Sequence, residues 1–125
     1  MKRFSKSWKA SKKRRKQRKY RYNAPLHIKQ KFVSVHLSKE IRQKYKKRNI
    51  PVKKGDTVKI MRGQNKKKSG KVDRVDHKKI KVYVTGIDLT KKDGSKVQIP
   101  LEPSNLMITE LNLDDKKRAE KLGKV

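Results

Sequence analysis

Apolar and polar residues alternate in short runs through the middle of the chain. In the first run, Val58 and Ile60 are separated by a lysine and followed by a methionine. The alternation returns at Ile80–Val84, Val97–Leu101 and Leu106–Ile108. A period of two residues is typical of a β-strand with one buried face.

The stretch Lys71–Asp76 interrupts this pattern because its two valines, Val72 and Val75, have opposite parity. We expect a bent or bulged strand there, and Gly70, which precedes it, suits such a distortion. With this strand included, residues 51–110 contain five short antiparallel strands, which predict a small β-barrel. The predicted fold class is therefore mainly β.

Three turns are predicted between the strands. Lys53–Asp56 leads into the first strand, Asp76 and His77 reverse the chain tightly, and Asp93-Gly94 has the sequence of a hairpin turn.

A helix is predicted before the barrel. Val33, Leu37, Ile41 and Tyr45 recur every four residues and indicate a helix over about residues 38–48. Its apolar stripe either docks on the barrel, which we favour, or lies on a membrane surface.

Capping residues support this helix and predict a second one. Ser38 can cap the first helix, and Asn49 and Pro51 end it. In a C-terminal tail of residues 111–125, Asp114 is the expected N-cap of a short helix that Gly123 can terminate.

Charge is distributed unevenly along the 125 residues, which include 40 Lys and Arg against 11 Asp and Glu, a formal net charge of +29. Residues 1–50, 51–110 and 111–125 carry +19, +8 and +2. Met1–Tyr22 contains 12 basic residues and no acid, and such a segment repels itself unless a polyanion neutralises it. The sequence therefore predicts a basic extension over residues 1–50, whose arm, residues 1–25, becomes ordered on a nucleic acid.

Several kinds of chemistry are excluded. The chain has no cysteine, so it has no disulfide framework and no thiolate zinc site. His27, His36 and His77 lack metal-ligand spacing, and the five residues that follow Gly63 end in Lys68 where a phosphate-binding loop needs a second glycine. No apolar run approaches the roughly 18 residues of a membrane span. We predict no enzyme activity, cofactor, metal, small-molecule substrate, membrane partner or homo-oligomer.

Planar side chains are interleaved with arginines in the arm and directly after it. Trp8, Tyr20, Tyr22 and His27 can stack on bases, and guanidinium groups bind phosphates in a bidentate way. A loop of the barrel carries a second basic group. The residues predicted to contact RNA are Lys12, Lys13, Arg14, Arg15, Lys16, Arg18, Lys19, Tyr20, Arg21, Tyr22, His27, Arg62, Lys66, Lys67, Lys68 and Lys71. The alternatives are that the tyrosines pack against the barrel, that the loop is merely solvated, and that the arm is a localisation signal or a solubilising tail.

A sequence motif narrows the choice of partner. Val52–Gly63 followed by Gln64–Val75 resembles the KOW motif, which is a strand, a basic loop and a second strand containing a glycine, here Gly70. The same motif occurs in transcription elongation factors of the NusG and Spt families, where it usually follows another folded domain. Residues 1–49 are too basic and too poor in apolar residues to form one.

The flanks of this motif carry a second resemblance. Arg18–His27 and Leu37–Tyr45 upstream, and Asp93-Gly94, Pro103–Thr109 and Leu111–Lys116 downstream, resemble the archaeal and eukaryotic branch of the uL24 family of large-subunit ribosomal proteins. The resemblance covers nearly the whole chain.

The resemblance implies an SH3-like KOW barrel in a structural constituent of the large ribosomal subunit. Such a protein binds the large-subunit rRNA directly near its 5′ end, acts early in assembly, and lies beside the peptide exit tunnel on the subunit exterior. It also implies neighbouring ribosomal proteins as partners and a cytoplasmic location. One departure concerns the loop, because many relatives carry a second glycine near its middle, where this chain has Lys66–Lys68. An architectural DNA binder would fit the composition equally well.

Overall fold

The computed structural model describes Phe4, Ser5, Ser7 and residues 10–123. The helices are α1 (Arg14–Asn23), α2 (Leu26–Phe32), α3 (Lys39–Tyr45) and α4 (Lys116–Gly123). The strands are β1 (Ser34–Leu37), β2 (Asn49–Pro51), β3 (Thr57–Ile60), β4 (Ser69–Asp76), β5 (Lys81–Val84), β6 (Asp88–Thr90), β7 (Lys96–Gln98) and β8 (Leu106–Glu110).

Six of these strands form one sheet in the order β2-β1-β8-β3-β4-β5, and β6 and β7 form a separate hairpin. The pairs are antiparallel except for β1 and β8, which run parallel. The fold is thus a mixed α/β arrangement with a mainly β core. The predicted β core is confirmed, but the small five-stranded antiparallel barrel is confirmed only in part. β1 and β2 join the sheet, and its edge strands, β2 and β5, are not paired with each other in the part of the chain described.

The core follows the alternation predicted for the central strands. Val58 and Ile60 on β3 and Leu106 and Ile108 on β8 are buried, and they lie directly opposite one another in the sheet. Val97 departs from the pattern, since it is 41% exposed on a hairpin that lies outside the six-stranded sheet.

The predicted bulge is present in β4. The register between β4 and β5 shifts between Val72 and Arg74. Gly70 has a different use, because a Cβ there would lie 2.7 Å from the Thr85 carbonyl oxygen and 2.8 Å from Cγ1 of Val84. Glycine therefore permits the close approach of β4 to the end of β5.

The predicted turns also occur, at residues 54–55, 77–80 and 92–93. The second is longer than expected, and its last residue, Ile80, has φ +57°. The third joins β6 and β7 as a hairpin.

The predicted first helix is shorter than its apolar spacing indicated. Val33 ends α2 and Leu37 lies on β1, so the four-residue period runs across three elements. The predicted N-cap is confirmed, because the Ser38 hydroxyl accepts a hydrogen bond from the Ile41 N–H at 3.5 Å. The helix ends where Lys46 adopts the left-handed conformation, φ +52°.

The C-terminal helix α4 begins one residue later than predicted. Asp115 rather than Asp114 provides the cap, since its carboxylate accepts from the Lys117 N–H at 3.0 Å. Leu122 is buried in the core, and Arg118 is buried against Asp56. These two contacts fix α4 against the sheet.

Candidate nucleic-acid interface

Helix α1 presents basic side chains on two of its faces. Lys12 and Lys13 immediately precede it. One shallow surface hollow is lined by Lys12, Arg14, Gln17, Arg18 and Arg21, and another by Arg15, Lys16, Lys19, Tyr22 and Asn23. A helix repeats every 3.6 residues, so the two sets lie on different faces of α1. The predicted arm contacts in these sets are therefore divided between two basic faces of the helix.

The remaining face of α1 is held by aromatic packing. The Tyr20 ring centroid lies 4.9 Å from that of Phe4 and 5.9 Å from that of Phe32, the latter edge-on. Tyr22, in contrast, is 82% exposed. The two tyrosines thus differ in what they offer to a partner: Tyr20 is engaged within the protein, and Tyr22 is open.

The sequence of α1 is unfavourable for an isolated helix. It has no side-chain N-cap and no acid in its first turn, and Arg14, Arg15 and Lys16 lie there instead, where the helix dipole disfavours cations. Like charges also stand three or four residues apart, as in Arg14–Arg18 and Arg15–Lys19. A polyanion on this surface would remove the repulsion.

The second basic group lies on the loop that joins β3 to β4, residues 61–68, here called the basic loop. Arg62, Lys66, Lys67 and Lys68 are exposed on it, and Lys71 is exposed on β4 just beyond. The loop is closed by backbone hydrogen bonds, because the Lys67 N–H donates to the Ile60 carbonyl at 2.9 Å and the Ile60 N–H donates to the Lys68 carbonyl at 2.9 Å. The ammonium groups are therefore displayed from a defined backbone.

The backbone conformation of Lys67 allows the basic loop to turn without a second glycine near its middle. Its φ is +72°, in the left-handed region that glycine adopts most readily. Gly63 at the other side of the loop has φ +95°. The loop thus keeps a left-handed residue where the resemblance led us to expect glycine, and it carries an extra cation there.

His27 lies apart from both groups, in a groove bordered by α2, β2, β4 and α4. The groove has a volume of about 930 Å³. The other lining residues with a charged or imidazole side chain are Lys31, Lys53, Lys54, Asp73, Arg74, His77, Asp115, Lys117, Arg118 and Lys121. Sequence reasoning did not identify this site. Its residues come from four separate elements, so the site has no recognisable spacing in the sequence.

Two carboxylates near the groove, those of Asp76 and Asp115, have lowered pKa values. A side-chain hydrogen bond from Lys53 lowers the pKa of Asp115 below its usual value. The backbone N–H of Lys79 does the same for the pKa of Asp76, beside His77. Asp73 accepts a hydrogen bond from Nε2 of Gln98 at 3.1 Å. These acids therefore accept hydrogen bonds from neighbouring parts of the protein and support its structure.

No group of three or more His, Asp or Glu side chains that could hold a metal ion occurs among the described residues. No described helix is long and apolar enough to cross a membrane. Trp8, which was predicted to stack on bases, lies outside the described residues.

Comparison with known proteins gives consistent results. Residues 11–124 match the model of a family described as eukaryotic ribosomal proteins L26 and archaeal L24. The chain is 53% identical over 108 residues to "Large ribosomal subunit protein uL24" of Methanothrix thermoacetophila, covering 86% of this chain and 93% of that protein. It is 52% identical over 113 residues to the protein of the same name from Methanoculleus marisnigri, covering 90% of this chain and 93% of that protein. A third relative of that name, from Methanospirillum hungatei, is 50% identical over 109 residues, with 87% and 91% covered.

Proposed function

The chain belongs to the family of eukaryotic L26 and archaeal L24 ribosomal proteins, and on that premise we propose that it binds large-subunit rRNA directly as a structural constituent of the large ribosomal subunit. Members of this family are structural components and not enzymes. Within the cytoplasm the protein would act in the assembled subunit, with rRNA and neighbouring ribosomal proteins as its partners.

Direct RNA binding is supported by the concentration of cationic side chains, without nearby acids, on α1 and the basic loop. Helix α1 contains six Lys or Arg and no acid, and the basic loop adds four cations. Each phosphate that such cations neutralise releases condensed counterions, which supplies most of the affinity for a nucleic acid. These surfaces suit a polyanion and are costly to leave without one.

We assign different roles in RNA binding to α1 and to the basic loop. Arg14, Arg18 and Arg21 lie together on α1, where their guanidinium groups can bind phosphates in a bidentate way. Tyr22 is exposed and can stack on a base, while we assign Tyr20 an anchoring role because its ring is already packed. The lysines of the basic loop act as point charges toward a groove of folded RNA.

The finer features proposed here rest on the resemblance to the uL24 family. On this proposal the strand β3, the basic loop and the strand β4 with Gly70 form the KOW motif, and the sheet around them corresponds to an SH3-like barrel. We place the contact near the 5′ end of the rRNA, at an early step of assembly, with the protein beside the exit tunnel on the subunit exterior.

Crosslinking in cells followed by RNA sequencing tests this proposal. Reads from large-subunit rRNA should dominate, with crosslinked peptides drawn from α1 and the basic loop. Sedimentation of a lysate provides a second test: recovery only in light fractions, with none on large subunits, would contradict the proposal. Competition between rRNA and duplex DNA at physiological salt separates it from an architectural DNA binder, for which the two affinities would be equal.

A further inference from the structure

The groove between α2, β2, β4 and α4 has a charge distribution that the protein itself does not balance. Seven Lys or Arg side chains line it against two aspartates. Asp115 is paired with Lys53, and Arg118 is paired with the buried Asp56. Four of the lining lysines, Lys31, Lys54, Lys117 and Lys121, have no ion-pair partner for their ammonium groups within the described part of the chain. The surplus indicates an anionic occupant.

Two polar atoms give independent support for a ligand at this place. Among the residues that the structure describes, two buried side-chain polar atoms lack a hydrogen-bond partner, Nδ1 of His77 and Nε of Arg118. Both residues line the groove. Arg118 is only 5% exposed, and a buried guanidinium N–H without an acceptor is costly. The wall of the groove thus contains hydrogen-bonding capacity that the protein itself leaves unused.

The walls of the groove also include planar and apolar surfaces. His27 on α2 and His77 in the β4–β5 turn contribute imidazole rings, and Ile50, Pro51 and Val75 contribute apolar surface. A volume of about 930 Å³ lies within the usual range of ligand sites. Cations for phosphates beside rings for stacking are the combination that proteins use for unstacked single-stranded RNA.

We propose that this groove is a second RNA-binding site, which takes an unstacked nucleotide of a single-stranded segment. Lys54 and Lys117 contact its phosphates, and His27 and His77 contact its base. The proposal rests on the proposed function, since it requires that the protein bind RNA, but it concerns residues that neither the arm nor the basic loop contains.

A charge-matched pair of double variants tests the site in the full-length protein. Lys54→Glu/Lys117→Glu alters the groove, and Lys91→Glu/Lys92→Glu makes the same change of charge in the exposed turn between β6 and β7. All four lysines are exposed, so circular dichroism should show that both variants fold. Binding is measured by fluorescence anisotropy with a labelled single-stranded RNA of about 12 nucleotides, within the range of about 4–16 that a single-strand-binding fold covers.

We expect the groove variant to bind RNA about tenfold more weakly than the turn variant. For the groove variant, the slope of the logarithm of the binding constant against the logarithm of the salt concentration should be shallower. Its magnitude should fall by about 0.7 for each phosphate that the substituted side chains no longer neutralise. Photocrosslinking with the same RNA carrying 4-thiouridine should label peptides that contain His27 or His77, and His77→Ala should remove the second label.

Two different failures can be told apart. If the wild-type protein bound no RNA, the proposed function itself would fail. Equal weakening of RNA binding in the two variants, with wild-type binding intact and no label on the groove, would overturn this inference alone.

Discussion

Arg118 and Asp56 form a bidentate ion pair inside the protein. Nη1 and Nη2 of Arg118 each donate to one carboxylate oxygen of Asp56 at 2.6 Å, and the two residues are 5% and 0% exposed. The carboxylate also accepts from the backbone N–H groups of Lys53 at 2.9 Å and Asn112 at 2.8 Å. One buried charge thus joins the turn before β3, the segment after β8 and helix α4.

Replacing Arg118 by methionine should therefore destabilise the protein by about 3–5 kcal/mol, because Asp56 would remain buried without its counter-charge. Urea unfolding measures the change, and Lys117→Met, on the exposed neighbour, is the matched control with an expected effect under about 0.5 kcal/mol. The double variant Asp56→Leu/Arg118→Met should be destabilised by less than the sum of the two single variants. Additive effects would show that the pair does not act as a unit.

Gly70 should not tolerate even a methyl group. A Cβ at this position would lie 2.7 Å from the Thr85 carbonyl oxygen and 2.8 Å from Cγ1 of Val84, so Gly70→Ala must push β4 away from the end of β5. We expect a cost of about 1–3 kcal/mol, which is typical of overpacking, measured as a lower urea midpoint. Gly123→Ala is the control, since nothing lies within 4 Å of its Cβ. Equal stability of the two variants would contradict the close approach seen here.

Lys67 holds a backbone conformation that is strained for a lysine, φ +72°. Lys67→Gly removes a left-handed penalty of about 1–2 kcal/mol and adds the flexibility cost of glycine, about 0.5–1 kcal/mol, so a net gain of up to about 1.5 kcal/mol should follow. Lys66→Gly removes the same charge without relieving strain and should be neutral or destabilising. Thermal unfolding of both variants decides the matter, and a stability gain in Lys66→Gly alone would show that charge rather than backbone strain controls the loop.

Local patterns predicted the local structure well. The alternation at Val58–Ile60, the cap at Ser38 and the bulge after Gly70 depend on neighbouring residues, and they were visible in the sequence. The order and pairing of the strands in the sheet could not be predicted from the sequence in the same way. The spacing from Val33 to Tyr45 was interpreted as one helix, although Leu37 is buried on a strand that pairs in parallel with β8, about 70 residues later. Tertiary pairing of this kind leaves no short-range signal.

Some parts of the candidate interface could likewise be predicted from the sequence, and others depend on the fold. Arg14–Arg21 and the basic loop are continuous in the sequence, so composition alone identified them. The groove brings His27 and His77 together from positions fifty residues apart, and its lysines look like any other basic surface residue until the fold is known. The role of Tyr20 likewise depends on Phe4 and Phe32, which only packing reveals.

The arm should become ordered when RNA binds. Helix α1 contains no buried residue and has five like-charged pairs three or four residues apart, which together cost about 1–2.5 kcal/mol. Neutralisation by phosphates removes this cost, so amide signals of α1 should show little dispersion in the free protein and disperse when RNA is added. Dispersed, rigid signals in the free protein would contradict this prediction.

Tyr22 and Tyr20 should differ sharply when each is replaced by alanine. Tyr22 is 82% exposed, so Tyr22→Ala leaves the packing intact and removes a stacking surface worth about 1–3 kcal/mol of RNA affinity. Tyr20→Ala removes the ring that contacts Phe4 and Phe32, so in the RNA complex it should loosen α1 and lower its protection from hydrogen exchange. Tyr22→Phe keeps the ring and serves as the control, with affinity close to that of the wild type. Anisotropy with single-stranded RNA and hydrogen exchange of the α1 amides separate the two effects. Full RNA affinity in Tyr22→Ala would exclude it as a stacking residue and leave phosphate contacts as the means by which α1 binds.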